Sequence, residues 1–330
     1  MSNRTVSVIL PTFNRAALLP RAVDSVVAQT YRDWQLIVVD DGSTDETADI
    51  VARYQAEWRD RVVFLSQARA GASAARNAGI DRACGRWIAF LDSDDEFLPQ
   101  KLQRQVALFD RRPDLGLVFS DMSLSKVDGS WHRSAFETYA RTLRDLPTED
   151  LGDDQRVCGP HFVDHLVRCY CIPTITGMIR NDVARDGVRF PLEQSYSEEW
   201  LFFLDVARQY RCGFIDEPLS VQHCQPGSVS LSSTSHNLIQ QCRALRTIRR
   251  RFPDVSKQAR RAVCDQLVQC CRQLGFDAYK QNRYRDARRH FTEAWKYRPN
   301  MRNTGYVARS LWRQLRRPAQ KTRAGEVTQG

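Results

Sequence analysis

The sequence predicts an α/β protein: a mostly parallel, twisted sheet with helices on both faces, followed by an all-helical region. Three observations carry this. The first hundred residues alternate β-branched runs with amphipathic ones. Polar and acidic signals fall at the ends of the apolar runs. Beyond residue 235 the pattern is helix after helix.

VSVILP (6–11), WQLIVVDD (34–41), RVVFLS (61–66) and WIAFLD (87–92) have the length and composition of buried strands. Between them, AALLPRAVDSVVAQ (16–29), DETADIVARYQAEW (45–58) and ASAARNAGIDRA (72–83) carry apolar residues at helical spacing. Ser43 or Thr44 is placed to cap the second helix, and Asp45 and Glu46 supply the negative charge that a helix start favours. Strand–helix–strand units of this kind build parallel sheets, whose ligands bind outside the carboxyl ends of the strands. Those ends carry PTFN, DDGSTD and DSDD.

Residues 113–235 are mixed, with LGLVFSDMSL (115–124) strand-like and SEEWLFFLDVARQY (197–210) helical. Further on, FDAYKQNRYRDARRHFTEAWKYRP (276–299) reads as one tetratricopeptide-like hairpin, which cannot bury its own core and must pack on neighbours. The expected organisation is a site-bearing domain over 1–235, a basic helical region over 236–317, and a disordered tail over 318–330.

At 330 residues and 42% hydrophobic, the chain can bury a large core. No apolar run exceeds five residues, far short of the roughly 20 that span a bilayer. The N-terminus enters a strand without a signal-peptide layout, so a cytoplasmic location is expected. The ten cysteines then read as reduced thiols; the pairs at 169–171 and 270–271 lack a partner pair at zinc-site spacing. Charge is uneven: residues 236–330 hold 23 Lys/Arg against 6 Asp/Glu, whereas residues 1–235 hold 26 against 33. YVARSLWRQLRR (306–317) sets Val307, Leu311 and Leu315 near one helix face, with Trp312 and several arginines alongside. Either such a helix lies on an anionic surface at the inner face of the plasma membrane, or its apolar face packs on the hairpin and its arginines are solvated.

There is no GxGxxG after the first strand and no Walker loop, which argues against a dinucleotide-binding domain. Instead WIAFLDSDDEF crowds Asp92, Asp94, Asp95 and Glu96 at a strand end. Either Ser93, Asp94 and Asp95 cap a helix beginning near Pro99, or a cation sits among the acids. Hard carboxylate oxygens select Mg²⁺ or Mn²⁺, which would bridge them to a diphosphate.

In order and spacing, SVILPTFNR, QLIVVDDGSTDET and GASAARNAGIDRACGRWIAFLDSDD resemble the family-2 glycosyltransferases of GT-A fold, continuously over 6–99 and traceably to about 231. The resemblance implies an inverting transfer from a nucleotide diphosphate donor, a UDP-sugar, to a hydroxyl of a glycan or lipid-linked acceptor in bacterial cell-surface polysaccharide synthesis. By it, Pro11, Thr12 and Phe13 line the base pocket, Asp40 hydrogen-bonds the base, and Arg76 and Asn77 lie near the nucleotide. Asp92 and Ser93 fall beside the ribose or sugar, Asp94 ligates Mn²⁺ or Mg²⁺, and Asp95 stands behind or caps. The family's base is the second acid of a Glu-Asp pair opening a helix; here Glu198 and Glu199 occupy the pair, so Glu199 takes the role with an arm one methylene longer. Family members often place a His before Pro-Gly, over the diphosphate. EPLSVQHCQPGSVS (217–230) departs from that, with Gln225 there and His223 two residues earlier.

The competing class is a non-catalytic scaffold, or a protein that binds membrane or nucleic acid through its basic helices. It leaves the strand-end acids unexplained, since acids repel phosphate unless a metal intervenes. Nucleic acid is the less favoured partner.

Overall fold

A computed structural model of the chain describes residues 5–139, 141–224 and 235–315. The four expected strands form as β1 (Val6–Thr12), β2 (Trp34–Asp40), β3 (Val62–Ser66) and β4 (Trp87–Phe90), all parallel. Helices α1 (Leu19–Val27), α2 (Thr47–Trp58) and α3 (Ala72–Arg82) connect them. Val6 of β1 pairs with Trp34 on one side and Trp87 on the other, giving the order β3-β2-β1-β4. The strand order therefore reverses at β1, and the carboxyl ends of β1 and β4 border the crevice where such sheets bind ligands.

Past β4 the chain runs through β5 (Glu96–Phe97), α4 (Lys101–Arg111), β6 (Leu115–Ser125), β7 (Trp131–His132) and α5 (Ala135–Tyr139). Next come β8 (Thr148–Gly152), β9 (Gln155–Cys158), α6 (Phe162–Arg168), β10 (Met178–Arg180), α7 (Asn181–Arg185), α8 (Glu198–Gln209) and β11 (Arg211–His223). Among the described residues these complete an 11-stranded sheet, β3-β2-β1-β4-β10-β6-β11-β9-β8, with β5 on β11 and β7 on β6. Strand β10 is antiparallel to both its neighbours, so the sheet is mixed beyond its parallel N-terminal half.

Strand periodicity divides the core. Val6, Val8 and Leu10 of β1 join Leu19 and Val23 of α1 and Leu102 and Val106 of α4 on one face. Ile9 faces the opposite way, into a cluster with Ile80 of α3 and Phe202 and Phe203 of α8. Helix α3 crosses β1 closely: a Cβ on Gly79 would lie 2.5 Å from Cγ2 of Ile9.

The C-terminal helices are α9 (Ser235–Arg251), α10 (Lys257–Lys280), α11 (Tyr284–Tyr297) and α12 (Met301–Leu315). The expected hairpin at 276–299 is the α10–α11 pair, with its first arm extended back to Lys257 and its turn passing through Asn282 at φ 59. Leu245 and Ile248 of α9 and Val263 and Leu267 of α10 share one buried cluster with Trp200 and Phe203 of α8. Tyr306 and Val307 of α12 pack against the cluster that holds Phe291, while Leu311, Trp312 and Leu315 stay exposed. All ten cysteines are free thiols. Among the described residues no helix is long and apolar enough to cross a membrane. Residues 318–330, expected to form a tail, lie outside the described residues.

Two capping expectations fail. Neither Ser43 nor Thr44 caps α2; Asp45 accepts the Thr47 N–H at 3.2 Å and its hydroxyl at 2.6 Å. Asn14 diverts the other two: its N–H donates to the Ser43 hydroxyl at 2.9 Å, and its side-chain oxygen accepts the Thr44 N–H at 2.8 Å. Nor do Ser93, Asp94 and Asp95 cap α4, because they precede β5; the Leu102 N–H goes to Gln29 Oε1 at 3.0 Å.

Gly79→Val should destabilise the protein by about 1–3 kcal/mol, the cost of overpacking a filled core. Urea denaturation measures it, and an unchanged midpoint would show that Ile9 yields freely.

Candidate active site

The crevice wall at β1 consists of Pro11 and Thr12, both buried, and half-buried Phe13. Thr12 Oγ1 is buried without a hydrogen-bond partner among the described residues. The Arg69 guanidinium lies 3.9 Å from the centre of the Phe13 ring, a cation–π contact. At the end of β2, Asp40 accepts the Ser43 N–H at 3.0 Å and closes a turn. Its neighbour Asp41 accepts from Gln67 Nε2 and from the Ala70 and Gly71 N–H groups, each at 2.8 Å. Those bonds fix the approach to α3.

Helix α3 carries Arg76 beneath the acids. One arm of its guanidinium donates to Asp92 Oδ1 at 2.7 Å, the other to Glu198 Oε1 at 2.9 Å. Burial works against this charge, but the carboxylates of Asp92 and Glu198 outweigh it and hold Arg76 protonated. Asn77 is tied elsewhere: its amide exchanges two 2.9 Å bonds with the Phe190 backbone.

Asp94 has its pKa raised, first by burial and then by repulsion from Asp92; Arg15, 4.0 Å away, pulls the other way. Arg21 donates to the Asp94 carbonyl oxygen. Asp95 is buried, and burial, Asp92 and Asp94 push its pKa well up; its Oδ1 accepts the His223 N–H at 2.8 Å. Pairing of β5 with β11 also brings His223 Nε2 to 3.2 Å from Glu96 Oε1. His223 thus flanks the acidic segment, while Gln225 lies outside the described residues.

Ser197, at φ 64, turns the chain into α8, whose first turn presents Glu198 and Glu199. Tyr170 donates its hydroxyl to Glu199 Oε1 at 2.7 Å. Burial and the nearby Glu198 push the Glu199 carboxyl up to about 8, against the opposing effect of the Tyr170 bond. Glu199 also lines a cavity of about 500 Å³.

The fold gathers Thr12, Asp92, Asp94 and, through Arg76, the Glu198–Glu199 pair at one end of the sheet. Asp94 offers hard oxygens where burial and the neighbouring Asp92 penalise its charge, a condition that a divalent cation relieves. Among the described residues no three His, Cys, Asp or Glu side chains form a complete metal cage. A cation here would take its other ligands from water or phosphate, as Mg²⁺ commonly does. Arg15, Arg21, Asp41 and Tyr170 were not anticipated. Arg15, directly after PTFN, was the one with a local signal: a cation in a strand-end loop facing acids.

Sheet order and crevice together define the GT-A fold. S. aureus TarS 1–349 in complex with UDP superposes with a TM-score of 0.61 at 18% identity, over 94% of this chain and 87% of that one. The mannosyltransferase PcManGT from Pyrobaculum calidifontis, in complex with GDP-Man and Mn²⁺, gives 0.59 at 17% identity, over 95% and 81%. Residues 7–163 match the family model of glycosyl transferase family 2. The putative teichuronic acid biosynthesis glycosyltransferase TuaG of Bacillus subtilis is 40% identical over 126 residues, 38% of this chain and 49% of its own length. A PGL/p-HBAD biosynthesis glycosyltransferase of Mycobacterium bovis is 36% identical over 126 residues, with the same shares. The chain thus spans under half the length of these curated relatives.

The raised Glu199 pKa has a signed consequence for stability. The folded state keeps its proton up to about 8, whereas an unfolded glutamate releases it near 4.5, so this contribution is lost as pH rises between the two. Glu199→Gln, which mimics the neutral acid, should gain in melting temperature over the wild type more at pH 8 than at pH 5. Equal gains at both would show that Glu199 ionises normally.

Proposed function

We propose that the protein is an inverting glycosyltransferase that moves a sugar from a UDP-sugar to a hydroxyl of a glycan or lipid-linked acceptor. The observation that carries this is the convergence of Asp92, Asp94 and the Glu198–Glu199 pair on one crevice, held by Arg76. The match of residues 7–163 to the family model supports it, as does the UDP bound by TarS. Relatives named for teichuronic acid and PGL/p-HBAD biosynthesis are in keeping with a role in cell-surface polysaccharide synthesis.

In this reading Pro11, Thr12 and Phe13 cradle the base, Asp40 accepts a hydrogen bond from it, and Asp92 with Ser93 faces the ribose or sugar. Arg76 acts through Asp92 and Glu198 by fixing their positions. Asp94 would hold Mn²⁺ or Mg²⁺, in keeping with the Mn²⁺ and GDP-Man of PcManGT. When bound, the cation supplies Lewis acidity to the departing diphosphate. Glu199 removes the proton from the acceptor hydroxyl as that oxygen attacks the anomeric carbon. Its carboxyl is a base only when ionised, so kcat/KM should climb with pH toward about 8.

A peripheral membrane role has its own support. Trp295, Met301, Leu311, Trp312 and Leu315 are exposed on α11 and α12, in the most basic part of the chain. Apolar side chains among arginines suit an anionic lipid surface. A purely scaffolding protein would have no use for the strand-end acids.

UDP should bind more tightly with Mn²⁺ or Mg²⁺ than with chelator, and Asp94→Ala should abolish that difference; calorimetry showing equal affinities counts against the metal role. Glu199→Gln should keep donor binding while lowering transfer by roughly 10²-fold, the scale of general-base catalysis. Unchanged turnover removes Glu199 from the chemistry. Co-sedimentation with anionic vesicles should fall when Leu311, Trp312 and Leu315 become Gln, and should weaken as salt rises. No sedimentation of the wild type at low salt would leave α12 a packing element.

A further inference from the structure

The cavity beside Glu199 is walled from both halves of the chain. Ser120, Met122 and Leu124 of β6 and Gln222 of β11 form one side, and Tyr170 and Trp200 another. The remaining side comes from the C-terminal helices: Gln241 of α9 and Gln266 of α10. Gln266 donates to the Arg168 carbonyl at 2.8 Å, which fixes its side chain. Gln241 accepts from the Cys270 thiol at 3.4 Å, and its amide nitrogen makes no hydrogen bond among the described residues.

Charge is the informative property. The chain holds 49 Lys/Arg and a net charge of +10, yet among the described residues no Lys or Arg lines this cavity. Among the described residues Glu199 is the one carboxylate on its wall. Lys101 lies behind Thr176, its ammonium committed to the Thr176 carbonyl at 3.1 Å and to Gln105 Oε1 at 2.9 Å. A carboxylate or phosphate entering here would lose water, gain no counter-ion and face Glu199, which makes it unfavourable. Glutamine amides each offer donors and an acceptor, the pairing that a sugar hydroxyl requires. Met122, Leu124 and Ala135, which cluster with Ile175, give the same cavity an apolar wall.

We propose that this cavity receives the acceptor, that the acceptor's terminal unit is an uncharged sugar on an apolar aglycone, and that Gln241 selects it from the C-terminal region. This rests on the glycosyltransferase reading and names the substrate class of that same site. Gln241 is a specificity-determining residue, remote in sequence from every strand-end motif.

The test uses the full chain saturated with UDP and Mn²⁺, and hexyl glycosides as probes. Hexyl glucoside, galactoside and N-acetylglucosaminide are compared with hexyl glucuronide and galacturonide by saturation-transfer NMR and calorimetry. At least one neutral glycoside should bind 10-fold or more tightly than either uronide. Gln241→Leu should weaken that glycoside about 5-fold, the loss expected for one hydrogen bond, with an unchanged melting temperature. Gln241→Arg should instead shift preference toward the uronides. Uronides binding as well as the neutral probes, or Gln241 variants leaving every probe unaffected, would overturn the inference. Hydrolysis of UDP-sugars, measured separately, tests the glycosyltransferase reading itself: its absence in the wild type sinks that reading, whereas hydrolysis alongside unselective glycoside binding sinks only the inference about the acceptor.

Discussion

The Arg76 guanidinium is buried between Asp92, just past the end of β4, and Glu198, at the start of α8. Breaking such a buried arrangement by removing one partner costs about 3–5 kcal/mol, because the remaining charges are left uncompensated. The rest of the site depends on it. The acids after β4 come from a parallel strand at the centre of the sheet, whereas Glu198 and Glu199 belong to a helix more than a hundred residues later. Arg76 itself is placed by backbone: Asp41 anchors the loop that leads into α3, and Gly79 lets that helix press onto Ile9.

Around this bridge the carboxylates are unequal. Asp92 and Glu198 each share the guanidinium, while Asp94, Asp95 and Glu199 are pushed toward their neutral forms, with burial the first cause each time. One side of the crevice is thus prepared for an added positive charge, and the other holds a carboxyl that can keep or release a proton near neutral pH. A dual arrangement of this kind separates electrostatic work from proton transfer without needing distant elements to move.

Much of this was legible in residue order. The parallel half of the sheet could be read because continuous β-branched runs of strand length and helical runs of period 3.6 alternate, and acids stand where β2 and β4 end. Asp92 and Asp94 were visible for the same reason, and the Glu198–Glu199 pair through the family resemblance at a helix start. The partners of Arg76 were not, since nothing local in AARNAG indicates a contact with residue 198. Asn77, grouped with Arg76 by resemblance, proves to hold the Phe190 backbone, a role that only the folded chain defines. Tyr170 and Gln241 sit in stretches with no recognisable motif, and His223 meets Glu96 through the register of two short paired strands. The caps of α2 and α4 were misjudged because Asn14 and Gln29 reach them from other loops.

Sharing one apolar cluster between α8 and helices α9 and α10 has a consequence for how the chain comes off the ribosome. Trp200, Phe203 and their neighbours are synthesised well before Leu245, Val263 and Leu267, which cover them. At about 5–20 residues per second, the helix bearing Glu199 waits several seconds for its cover. During that interval the sheet can form while the cavity beside Glu199 still lacks the wall that α9 and α10 supply. A nascent chain halted before α10 would therefore leave an aromatic surface uncovered, and the cavity would gain its last wall only within the final third of translation.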